Sequence, residues 1–154
     1  MAISLRVVGI FYRSDVELPS GGSVKDVLDA ASAQITPGNS FSYSTVTTNG
    51  MTSPNMFRAF YEASFKSGSS GIEYPSGEYM LAEDLLARPA YSVWQYYIFD
   101  ADGKFINRDK GFVPFDDSAN ARVEDGQSVT WRLVNVLAEP TTRTAPRLVR
   151  ALTS

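Results

Sequence analysis

The chain has 154 residues, a formal net charge of −3, and neither cysteine nor histidine. That length suits one domain with its own core, and the charge argues against nucleic acid or an anionic membrane as partner. Disulfides, thiolate metal sites, cysteine nucleophiles and a Ser–His–Asp triad are excluded, which leaves any chemistry to carboxylates, tyrosines, lysines or a bound cofactor.

The residues Met1 to Tyr12 lack the basic start and small-residue cleavage pattern of a signal peptide. No apolar run approaches the roughly 20 residues of a membrane-spanning helix. The expectation is a cytoplasmic protein. Ile3 to Tyr12 reads as one strand, with Ile3, Leu5, Val7 and Phe11 on one face and Val8, Ile10 and Tyr12 on the other. Two apolar faces predict a central place in a sheet. Arg13-Ser14-Asp15 reads as a turn, Val16 and Leu18 as a short second strand, and Pro19-Ser20-Gly21-Gly22 as its end. Ser23 is the predicted cap of a helix, with Asp26 at the capping-box position. Val24, Val27, Leu28 and Ala31 carry the spacing of one buried stripe, and Thr36-Pro37-Gly38 stops it.

Phe41 to Thr48 alternates as a half-exposed strand, and Asn49-Gly50 is a turn signal. Residues 54–65 fit two patterns. Ser53 and Pro54 suit a helix start, whereas Phe57, Ala59, Tyr61, Ala63 and Phe65 share one face of a strand, which is the preferred reading. Ser67 to Gly71 then makes a hairpin loop. Pro75 confines any strand between Ile72 and Leu86 to an edge.

Tyr91 to Val134 holds both tryptophans and reads as two long strands, the first turning at Asp100–Gly103. Trp94, Tyr96 and Ile98 alternate with Val93, Tyr97 and Phe99, so both faces are apolar. Core packing accounts for one face. An exposed aromatic face is a binding platform for a protein, a sugar or a flat ligand, which makes Trp94, Tyr96 and Tyr97 candidate binding residues. From Ala138 the composition shifts, which predicts a domain over 1–137 and a C-terminal arm over 138–154. Composition alone reads the arm as disordered. Arg143, Arg147 and Arg150, with Leu148, Val149 and Leu152, form a basic and apolar patch on an acidic protein. The plain reading is a solvated tail; the functional one is docking on an acidic neighbouring subunit.

Three further patterns favour structural explanations. Asp100-Ala101-Asp102-Gly103-Lys104 starts like a calcium loop, but Lys104, Phe105 and Gly111 stand where a fifth-position oxygen ligand, a glycine and a glutamate belong. Asp116, Asp117, Glu124 and Asp125 cluster in sequence without anything to hold two acids across a substrate. Gly21-Gly22-Ser23-Val24-Lys25 lacks the spacing of a phosphate loop. No catalytic set, metal or cofactor is implied.

The order of strand, short strand, helix and further strands predicts an α+β domain. The expected architecture is a β-grasp-like mixed sheet with one main helix packed on it and an extended C-terminal arm. Val16-Glu17-Leu18-Pro19 followed by Gly22-Ser23-Val24-Lys25-Asp26-Val27-Leu28 resembles the entry of ubiquitin-like and transcobalamin C-terminal-like β-grasp domains. Trp94-Gln95-Tyr96-Tyr97 and Val123-Glu124-Asp125-Gly126-Gln127-Ser128-Val129-Thr130-Trp131 resemble the second half of the transcobalamin-like group, with Gln127 where that group has an acid. The resemblance implies a surface or ligand-binding module. The functional expectation is a non-enzymatic binding or assembly module that contacts a protein, itself or another, through the aromatic strand face and the arm. The alternative is a small-molecule-binding protein or cofactor-independent enzyme with a pocket beneath the aromatic sheet, using tyrosine hydroxyls and a carboxylate of raised pKa.

Overall fold

Alternation sets the first strand. Ile3, Leu5 and Val7 are buried while Ala2, Ser4 and Arg6 face solvent, along β1 (Ala2–Val7). A computed structural model describes residues 1–67, 71–107 and 113–137. The arm over 138–154 lies outside the described residues, with its candidate contacts Arg143, Arg147, Leu148, Val149, Arg150 and Leu152.

β1 ends five residues earlier than the apolar run suggests. Gly9 at φ 103° and Phe11 at φ 61° turn the chain back, so that Arg13-Ser14-Asp15 lies inside β2 (Tyr12–Glu17) rather than in a turn. Only glycine reaches the Gly9 conformation without strain, and an added Cβ there would come within 2.6 Å of Leu81 Cδ2. The Tyr61 hydroxyl donates to the Ile10 carbonyl at 2.8 Å and ties the turn down.

After β3 (Gly22–Ser23), the helix α1 (Val24–Ala33) starts where its cap residues place it. Ser23 Oγ accepts from the Asp26 backbone N–H at 3.2 Å, and the Asp26 carboxylate accepts from the Ser23 N–H at 2.9 Å. Val24, Val27, Leu28 and Ala31 are buried as the spacing predicts. Ser23→Ala is expected to lower stability by about 1 kcal/mol. That would be read as a lower urea midpoint at an unchanged slope.

β4 (Asn39–Thr48) and β5 (Met51–Tyr61) form a hairpin closed by Asn49 at φ 55° and Gly50 at φ 77°. Two left-handed residues give a turn whose twist matches the strands. The strand reading of residues 54–65 therefore holds as far as Tyr61, with Phe57 and Ala59 buried, while Ala63 lies outside the strands and is exposed. Pro54 is accommodated beside a register shift between Ser44 and Thr45, the kind of irregularity where a strand tolerates a missing donor. β6 (Phe65–Lys66), β7 (Glu73–Tyr74), β8 (Gly77–Ala82), β9 (Ala90–Phe99), β10 (Arg122–Val123) and β11 (Ser128–Leu137) follow.

Four strands join in the order β2-β1-β11-β9, with β1 and β11 parallel. Three more join as β4-β5-β8, and β3 with β10 and β6 with β7 form two short ladders. The two larger sheets share one core. Phe57 of β5 is fully buried, sits edge-on to Trp94 at 4.6 Å between ring centroids, and lies 5.3 Å from Trp131.

The expected α+β architecture, a β-grasp-like sheet under one main helix, does not hold. The described residues form eleven strands in several sheets and a single helix of ten residues. The strands expected over Phe41 to Thr48, within residues 54–65 and at an edge between Ile72 and Leu86 are present, but they do not join one sheet under the helix. They build a second sheet, whose Phe41 and Phe57 rings supply core contacts that the prediction gave to the helix. Among the described residues no helix is long and apolar enough to cross a membrane.

Candidate functional site

Among the described residues β9 has one ladder, with β11, and only single bridges at Ser92 and Phe99 on its other side, so it stands at the sheet edge. In an antiparallel pair, alternate residues turn both backbone polar groups toward the partner or away from it. The parity here is fixed by bonds on the far side. Ser92 exchanges both backbone bonds with Asp84, at 2.9 and 3.1 Å. The Ile98 N–H donates to Asn107 Oδ1 at 3.1 Å, and the Ile98 carbonyl accepts from the Ile106 N–H at 3.0 Å. The Glu83 carboxylate accepts from the Trp94 backbone N–H. Tyr96 has the same parity as these three, so its N–H and C=O also point away from β11. Among the described residues neither group has a partner.

An edge strand normally hides such groups, since they are a template for another chain. Among the described residues, Asp84 and Ile106–Asn107 cover the two ends of β9 and Glu83 meets Trp94, while none bonds to the Tyr96 backbone. A cavity of about 270 Å³ lies beside Tyr96. Its apolar walls include Pro54 of β5, Trp94 and Tyr96 of β9, Trp131 of β11, and Phe105, Val113 and Phe115 from the segments after β9. Gln95, Tyr97, Ser53 and Asn107 complete its rim with polar groups.

The electrostatics of the cleft are those of neutral, hydrogen-bonding aromatics. The Tyr96 hydroxyl donates to the Val113 carbonyl at 2.7 Å. Burial, with help from the negative charge of Asp117, pushes its pKa up to about 12. Burial also raises the Glu83 carboxyl, against the opposing hydrogen bond from Trp94. The indole Nε1 atoms of Trp94 and Trp131 are both buried and both lack a hydrogen-bond partner. Buried donors without acceptors are uncommon and costly, and both belong to residues of this one cavity wall.

Of the sequence candidates, Trp94, Tyr96 and Tyr97 come together here, although not as an exposed platform. Trp94 is only 4% exposed and belongs to the core, while Tyr96 and Tyr97 are half-buried on opposite faces of β9. The Tyr97 hydroxyl donates to Gln95 Oε1 at 3.1 Å. Sequence reasoning missed Pro54, Phe105, Val113, Phe115 and Trp131 as site residues. The one available signal was Val113 and Phe115, apolar residues inside an otherwise polar loop.

The acidic patterns have structural work. Asp100 Oδ1 accepts from the backbone N–H groups of Asp102 and Lys104, at 2.9 and 2.8 Å. Gly103 takes φ 82°, as its turn requires. Asp117 accepts from Ala119 and Asn120, and these bonds, chiefly the Asn120 side chain, hold its pKa down. Asp125 Oδ1 accepts from the Ala2 N–H, and Glu124 pairs with Arg122. Among the described residues no group of three or more carboxylates could hold a metal ion. No protein-family model matches the chain, and no curated protein matches it significantly in sequence.

Proposed function

We propose that this protein is a non-enzymatic binding module, and that the aromatic cleft beside Tyr96 of β9 receives an aromatic or branched apolar side chain on an extended segment of a partner protein. The observation that carries the reading is the aromatic cavity beside Tyr96, whose backbone N–H and C=O have no partner among the described residues. An extended segment laid along β9 would bond to the Tyr96 N–H and C=O, as strands do when they add to a sheet edge. Alternate side chains of such a segment point into the sheet face, so one of them would enter the cavity. The size suits one side chain or a very small ligand. Small-molecule pockets run to about 300–1,000 Å³, and about 270 Å³ holds a single ring or branched group.

The test is selection of heptapeptides from a random displayed library, followed by titration against intrinsic tryptophan fluorescence. The chain has 2 tryptophans and both line the cavity, so binding there must alter the whole signal. Val113→Phe, which fills the cavity, is expected to weaken binding at least about tenfold, the equivalent of 1.4 kcal/mol, with its thermal unfolding still cooperative. Peptides that bind the wild type and Val113→Phe equally, or no selected peptide that changes the fluorescence, would overturn the reading.

A further inference from the structure

The outer face of the four-stranded sheet gathers positive charge without pairing it. On β1, Ala2, Ser4 and Arg6 face outward. The register sets Arg6 directly opposite Arg13 on β2 and opposite Thr130 on β11. Arg132 lies two residues beyond Thr130 and so on the same face. All three arginines are exposed. Among the described residues none of them takes part in an ion pair. Together with Ser4, Asp15 and Thr130 they line a shallow depression of about 550 Å³.

This arrangement runs against the usual economy of a sheet. Like charges directly opposite on neighbouring strands are destabilising, and the protein as a whole is acidic, with 17 Asp and Glu against 14 Lys and Arg. Burial, Arg13 and then Arg132 all hold the Arg6 pKa down. The acid that borders the depression, Asp15, accepts from Ser4 Oγ at 2.8 Å and pairs with none of the three arginines. Guanidinium groups bind phosphoryl oxygens through two parallel N–H donors, and three of them on one sheet face match a compact dianion. We infer that Arg6, Arg13 and Arg132 form a binding site for a tetrahedral oxyanion, a phosphate either free or carried as the terminal phosphoryl group of a small ligand. The site uses the face of β1 and β11 away from Phe57 and Trp131, and does not depend on the β9 cleft.

The experiment is isothermal titration of the whole protein with inorganic phosphate, at about pH 8, where the dianion dominates. A sodium chloride titration at matched ionic strength is the control. The expected result is saturable one-site binding that chloride does not reproduce. Arg6→Gln should weaken it at least about tenfold, and should raise the melting temperature measured without phosphate, because a repulsion is removed. A residue with a purely structural role would lower that temperature. Should Arg6→Gln fail to fold, Arg13→Gln on the outer strand β2 carries the same two readouts. Phenyl phosphate separates the sources: equal or tighter binding indicates a carried phosphoryl group, and binding of inorganic phosphate alone indicates the free ion. Heats no larger than those of chloride, or unchanged binding by both arginine variants, would overturn the site.

Discussion

Phe57→Ala is expected to lower the unfolding free energy by about 3–5 kcal/mol, close to the whole stability of a marginal domain. Phe57 is fully buried, and its ring meets Trp94 and Trp131 of the four-stranded sheet from the middle of β5. It also lies 6.1 Å from the rings of Phe41 and Tyr43 on β4. Truncation removes a large side chain that packs between the two larger sheets, and rigid strands on both sides limit how far the gap can close. Phe60, three residues along the same strand, is 42% exposed. Phe60→Ala should cost about 0.5 kcal/mol or less. Urea unfolding of both variants separates them. Equal losses would mean that β5 does not join the two sheets.

Stability should fall as pH rises from about 10 to about 12. Burial pushes the Tyr61 and Tyr96 hydroxyls up to about 12 from an ordinary 10.0. Tyr12 and Tyr43 are also raised, both chiefly by burial, and Tyr43 further by its hydrogen bond to Asp29. Tyr61 and Tyr96 donate to backbone carbonyls, of Ile10 and Val113. These bonds need the proton. The sign follows from proton counting. Between 10 and the folded pKa, the unfolded tyrosine has lost its proton and the folded one has kept it. The unfolded state then binds fewer protons, so stability declines with pH. The contribution is complete below pH 10 and lost as pH passes the folded value. Tyr61→Phe should flatten this decline while lowering stability near neutral pH through the lost hydrogen bond. Urea midpoints that are flat across this window, or identical slopes for the variant, would contradict the assignment.

Local chemistry was legible in the sequence, and long-range assembly was not. Ser23 with Asp26 and the buried stripe of α1 are set by neighbours within a few residues, and so is the Asn49-Gly50 hairpin. Those expectations hold. The turn at Gly9 was hidden because Val8, Ile10 and Phe11 continue an apolar run across it, and only the positive φ of Gly9 and Phe11 reveals it. The second sheet was hidden for a different reason. Single strands over residues 49–86 could be read, but their joining into a separate sheet is fixed by pairing across the hairpin and by Phe57 meeting two tryptophans far along the chain. The same holds for the cleft. The alternation of Trp94, Tyr96 and Tyr97 was visible, but it could not show that β9 is an edge strand or that Pro54, Phe105 and Val113 close around its middle. The predicted exposed platform became a cavity because Trp94 is consumed by the core.

The two indole N–H groups offer the most direct test of the cleft as a binding site. Trp94 and Trp131 give the only indole signals in a nitrogen–proton correlation spectrum, and both residues line the cavity. Titration with the selected peptide is expected to shift both indole signals together with the Tyr96 backbone amide, along one saturation curve. Shifts confined to surface amides away from β9, with both indole signals unmoved at saturation, would contradict the account.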